Sequence, residues 1–143
     1  GFKSLPHRAE PVGEFHGVRY VNDSKATNLS AMIASIRMQD RPVWLIAGGR
    51  PKETDFSAAI PVLKQRVQGV FLIGEAAAAM AAAWGAVLPC EICGTLARAV
   101  AAARRAARPG EAVLMAPACT SYDQFRAYGE RGAAFRKFAA EKD

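Results

Sequence analysis

With 143 residues, 51% of them hydrophobic, the chain has the size of one domain and enough apolar material for a buried core. No run reaches the roughly 18 unbroken apolar residues of a membrane span, and the opening Gly1-Phe2-Lys3-Ser4-Leu5-Pro6 has neither a secretory leader's pattern nor an initiator Met. A cytoplasmic piece of a longer chain, without membrane contact, is therefore expected, and the net charge of +6 favours anionic partners.

Pro6, Pro11 and Gly13 mark residues 1–13 as a connector or hinge, and 14–143 as the domain proper. Gly17 to Asn22 reads as a first strand. Leu29, Met32, Ile33 and Ile36 then repeat at helical spacing, with Thr27 or Asn28 placed to cap the helix. Pro42 breaks the chain before the strand Val43 to Ala47, and Phe56 to Val67 reads as a helix that tolerates Pro61 only near its first turn.

Val70 to Ile73 is a third strand and Glu75 to Trp84 a helix whose alanines suit close packing on a sheet. Val87 to Ile92 is extended. Thr95 caps a helix with Leu96, Ala99, Val100 and Ala103 inward and Arg98, Arg104, Arg105 and Arg108 outward, ended by Pro109-Gly110. Those arginines lack interleaved aromatics, so a solvated face is expected and no nucleic-acid partner. Ala112 to Ala116 is a buried strand, and Phe125, Tyr128, Phe135 and Phe138 share one face of a final helix. Strands alternating with helices predict an α/β, Rossmann-like layered fold, a mostly parallel sheet flanked by helices.

In such sheets ligands bind beyond the carboxyl ends of the strands, and three segments there carry polar groups. Asn22-Asp23-Ser24-Lys25-Ala26-Thr27-Asn28 leads into a helix start, whose unpaired N–H groups suit a carboxylate or phosphate. Gly48-Gly49-Arg50-Pro51-Lys52 offers close backbone approach and a point charge, without a P-loop or GxGxxG motif. Pro117-Ala118-Cys119-Thr120-Ser121 brings small residues and hydroxyls before another helix. It lacks the GxSxG elbow, so carboxylate-binding donors are expected rather than a nucleophile. The spacing of Cys90 and Cys93 mimics a redox or half-zinc motif. Cys119, His7 and His16 do not supply a second ligand pair, so structural cysteines and no metal site are expected.

These three segments, with Leu5-Pro6-His7-Arg8-Ala9-Glu10, Asp55-Phe56, Asp123-Gln124-Phe125 and Glu130-Arg131-Gly132, come in the order of the Mur ligase family and cover the chain end to end. The string Asp-Ser-Lys-Ala-Thr-Asn resembles its D-glutamate-adding branch. The resemblance implies the carboxy-terminal, amino-acid-binding domain of an ATP-dependent amide-forming ligase. The uridine nucleotide of UDP-N-acetylmuramoyl-L-alanine, ATP and its magnesium would be held mainly by domains this chain lacks. A monomer is implied, inactive as this fragment alone.

Residue by residue, the resemblance implies that Thr27, Lys52 and Ser121 hold the carboxylates of D-glutamate and that the Tyr128 backbone helps. It puts Lys25 near the acyl phosphate, and Arg8 and Asp23 at the phosphate and ribose of ATP. Arg50-Pro51 departs from the more Gly-rich, acidic loop of the family. Two other readings stand beside it: a free-standing binding module for acidic amino acids or nucleotides, and a related ligase adding another amino acid.

Overall fold

The computed structural model describes residues 8–141. Six strands form one sheet in the order β1-β2-β6-β3-β4-β5: β1 (Glu10–Phe15), β2 (Val18–Asn22), β3 (Val43–Gly48), β4 (Val67–Ile73), β5 (Cys90–Gly94) and β6 (Ala112–Met115). Only β1 runs antiparallel to its neighbour. The other pairings, β2 with β6, β6 with β3, β3 with β4 and β4 with β5, are parallel.

Helices α1 (Leu29–Arg37), α2 (Ile60–Arg66) and α3 (Ala77–Trp84) cover one face, and α4 (Leu96–Ala106) and α5 (Tyr128–Ala140) the other. The alternation of a strand divides the core accordingly. Leu45 and Ala47 of β3 join Met32, Leu63 and Trp84 on the first face, while Ile46 joins Val100 and Phe135 on the second. Steps from β2 through β5 advance across the sheet with helices on the first face. The return from β5 to β6 reverses direction and carries α4 on the second, so all crossovers keep one hand. The predicted Rossmann-like α/β class is the observed one.

Several element boundaries differ from expectation for local reasons. The segment expected to be a connector, 1–13, carries the first residues of β1, and Pro11 and Gly13 flank a register shift in that strand. An edge strand tolerates both, because its outer N–H groups need no partner and a bulge absorbs the irregularity. Residues 1–7 of that segment, including His7, lie outside the described residues. Phe56 to Val67 begins as a 3-10 turn over Ser57–Ala59, Pro61 falls in the first turn of α2, and Val67 already belongs to β4. Arg104 turns inward from the expected solvent face of α4 and donates to the Phe138 carbonyl near the end of α5, while Arg98, Arg105 and Arg108 are exposed.

At the amino edge of the sheet, the Glu111 carboxylate accepts from Trp44 Nε1 at 3.0 Å, the Arg108 N–H at 2.7 Å and the Gln68 amide. Burial pushes this carboxyl upward, but those bonds and the Arg108 charge outweigh it and leave its pKa below the ordinary value.

Candidate functional site

The strand order decides the site. β2, β6 and β3 are neighbours and parallel, so the three polar segments leave the sheet side by side at one edge. Backbone bonds lace them together. Ala118 N–H donates to the Ala26 carbonyl at 2.9 Å, Gly48 N–H to Pro117 at 2.9 Å, and Arg50 and Thr120 exchange N–H···O bonds at 3.0 Å each. Glycine is required at the turn out of β3. Gly48 has φ +124°, and a Cβ there would collide with the Ile73 carbonyl oxygen; Gly49 has φ +125°, and a Cβ there would meet the Thr120 carbonyl.

The first segment starts with Asp23, buried at 6% exposure, whose N–H donates to Met115 of β6 at 2.8 Å. Burial raises the Asp23 carboxyl pKa, against the pull of Ser35, the Ala9 N–H and the Arg8 charge. Arg8 itself is exposed. Lys25 is half-buried, with Nζ 5.8 Å from the centroid of the Tyr128 ring, a cation–π distance. Thr27 is half-buried, and the capping role falls to Asn28, whose side chain accepts from Ala31 N–H at 2.8 Å.

One expectation is narrowed here. The start of α1 is partly taken by the protein's own acceptors. Glu53, from the segment after β3, accepts from Leu29 N–H at 3.1 Å, and the Asn28 side chain accepts from Ala31 N–H at 2.8 Å. A protein carboxylate and a cap thus hold two of the donors the sequence suggested for a ligand. Lys52 stands exposed beside Glu53. The exit of this segment is pinned by the buried indole of Trp84, which donates to the Phe56 carbonyl at 2.9 Å and meets its ring edge-on.

In the third segment Ser121 is buried at 2% exposure, and its carbonyl accepts from Gln124 and Phe125 N–H in a tight turn. Asp123 Oδ2 accepts from Glu75 N–H at 3.0 Å, tying the segment to the loop after β4. Tyr128, 39% exposed, opens α5, a helix whose amino end has no side-chain cap. Cys119 is fully buried, and burial pushes its thiol up to about 12, which keeps it neutral and unreactive. Cys90 and Cys93 stand three apart on a strand and pack on opposite faces of the sheet, so they cannot pair or share a metal.

Two residues to which the sequence assigned no role of their own, Arg131 and Ser24, join these segments. Arg131 of α5 is 1% exposed, and its Nε and Nη2 donate to Ser24 Oγ at 2.9 Å and the Ser24 carbonyl at 2.6 Å. Ser24 Oγ in turn donates to the Tyr128 carbonyl at 2.6 Å. The signal was a charge on an apolar stripe, since Arg131 falls at helical spacing from Tyr128, Phe135 and Phe138. Burial lowers its pKa to about 10, with Cys119 and Asp123 opposing, so it stays charged at neutral pH.

A mostly parallel α/β sheet whose polar segments, with lysines and hydroxyls, meet at its carboxyl edge has the layout of the ligand-binding α/β class. The family model "Mur ligase, glutamate ligase domain" matches residues 7–119, and the chain belongs to that family. It is 49% identical over 135 residues to the UDP-N-acetylmuramoylalanine–D-glutamate ligase of Nitratidesulfovibrio vulgaris (strain DP4), covering 94% of this chain and 31% of that one. It is 42% identical over 137 residues to the same-named ligase of Myxococcus xanthus (strain DK1622), covering 96% and 30%. The chain thus spans about a third of the length of these relatives. Its fold matches the bifunctional folylpolyglutamate synthase/dihydrofolate synthase of Yersinia pestis CO92, with TM-score 0.66, 16% identity, and coverage of 94% of this chain and 31% of that one.

Proposed function

We propose that this chain is the carboxy-terminal domain of an ATP-dependent ligase that joins D-glutamate to UDP-N-acetylmuramoyl-L-alanine, a step of peptidoglycan precursor synthesis in the cytoplasm, and that its rim binds the D-glutamate. The observation that carries this reading is the meeting of the three polar segments at the ends of β2, β6 and β3. The identity to same-named ligases supports it.

Lys52 and Thr27 lie on neighbouring segments of the rim, and with Ser121 they supply one cation and two hydroxyls for two carboxylates. The uncapped start of α5 beside Tyr128 adds a favourable partial charge. Lys25, steadied by the Tyr128 ring, stabilises negative charge as the amine attacks an acyl phosphate. No side chain of this domain need act as a nucleophile, because ATP activates the carboxylate. Arg8 and Asp23 form the end of the rim suited to a nucleotide, a cation for phosphate and a carboxylate for ribose hydroxyls.

This donor set fits phosphate oxygens rather than a bare metal, and among the described residues no three carboxylate, imidazole or thiol groups cluster as metal ligands. Magnesium, when bound through the phosphates, would offset their charge. The reading needs one copy of the chain and no nucleic acid. Orientation of the amine is the domain's main contribution, worth up to about 7–11 kcal/mol in well-aligned reactions.

The test is phosphate release by the full-length protein with ATP and UDP-N-acetylmuramoyl-L-alanine. D-glutamate should support turnover, whereas L-glutamate and diamino acids should not. Lys52→Ala should raise the KM for D-glutamate about ten- to hundredfold, the loss of one charge-assisted hydrogen bond, and leave the KM for ATP nearly unchanged. Turnover with another amino acid in place of D-glutamate would overturn the assignment.

A further inference from the structure

Resting on the reading of the rim as the D-glutamate site, we propose that Arg131 is a positioning residue for that site, a buried fork that holds Lys25 and Tyr128 in register through Ser24. The argument begins with a chain of three bonds. Arg131 grips both the hydroxyl and the carbonyl of Ser24, and the Ser24 hydroxyl passes the link to the Tyr128 carbonyl. Fixing the Ser24 carbonyl fixes the peptide plane from which Lys25 departs. Fixing the Tyr128 carbonyl holds the backbone from which the ring under Lys25 Nζ departs. Two rim residues 103 positions apart (128 − 25) thus take their geometry from one guanidinium.

The same group reaches the other two segments. Nη1 lies 3.3 Å from the point a Cβ of Gly49 would occupy, and the Cys119 side chain borders that point at 3.1 Å. Nη1 is buried with no hydrogen-bond partner among the described residues, and no carboxylate there forms an ion pair with Arg131. A buried charge left this incompletely paired is a poor device for stability alone, since apolar packing of similar volume serves as well or better. Its positive charge, offset by Asp123 without an ion pair, lies beneath a rim assigned to a dicarboxylate, where little solvent screens it. Asp23 has an anchor of its own, its N–H on Met115 of β6, so the nucleotide end depends less on this fork.

Arg131→Lys keeps the charge and loses the fork; Ser24→Ala removes the shared hydroxyl and is the gentler change. Both are made in the full-length protein and assayed with D-glutamate and ATP varied in turn. Each variant should raise the KM for D-glutamate about tenfold or more while the KM for ATP changes less than about threefold, as expected of a misplaced binding group. The double variant should be no worse than the worse single one, because both act on one link.

An unchanged KM for D-glutamate in Ser24→Ala, or additive effects in the double variant, would overturn the proposal. A fall in melting temperature with KM intact would mark a structural residue and overturn it too. If Arg131→Lys does not fold, Ser24→Ala decides alone. Wild-type protein inactive with D-glutamate sinks the functional reading itself, whereas active wild-type with unshifted variants sinks only the assignment of Arg131.

Discussion

Gly48 shows how tightly the rim is specified at single positions. Its φ of +124° already disfavours any other residue, and its missing Cβ is what lets β3 pass the Ile73 carbonyl of β4. Gly48→Ala should therefore destabilise the chain by roughly 1–3 kcal/mol from backbone strain, with the steric clash added. Urea denaturation followed by circular dichroism measures this, and a variant as stable as wild type would show that the turn can relax. Arg131 is the opposite case, a residue whose importance comes from bonds rather than from fit. Its partner Ser24 is 107 positions away, so no local pattern could announce the pair. Glu53 was hidden for the same reason, as a cap for α1 supplied from a different loop.

Among the elements, β2, β3, β4 and β6 were legible because buried parallel strands are short, continuous apolar runs between polar turns. Thr95 was legible as a cap, and it accepts from Arg98 N–H at 3.3 Å. β1 was not, since Glu-Pro-Val-Gly-Glu-Phe has the composition of a linker and becomes a strand only by pairing with β2. The three polar segments could be found one by one, but their meeting depended on the order β2-β6-β3, which is not written in any single segment.

Elements are also joined by Glu111, just before β6, which links to Trp44 of β3, Gln68 of β4 and Arg108 in the turn after α4. Its folded pKa lies below the ordinary 4.5, so its contribution is present above that value and is lost as pH falls through the lowered one. In Glu111→Gln the neutral amide still accepts from Trp44. The stability gap between wild type and variant should therefore be largest near neutral pH and should narrow below about 4.5. Urea midpoints at neutral and acid pH measure this, and a gap that widens on acidification would contradict the sign.

At the scale of the whole molecule, two helical layers share one sheet and so should unfold together. The tryptophans sit on opposite faces: Trp84 in the layer of α1, α2 and α3, and Trp44 stacked on Phe71 beneath α4. Trp44→Phe and Trp84→Phe each leave one reporter. In each variant the fluorescence and circular dichroism transitions should coincide, and separated midpoints would mean that the layers open independently.

The place of β6 carries a consequence for how the chain comes to be folded. This last strand lies between the second and the third, so a nascent chain that has emerged only as far as β5 holds two sheet fragments with bare edges facing each other. The gap closes only when Ala112 to Met115 leaves the ribosome, and the grip on Ser24 follows later still, with α5. Assembly of this rim thus waits until α5 has been made, and a stop codon before residue 112 would leave no joined rim but an aggregation-prone pair of half-sheets.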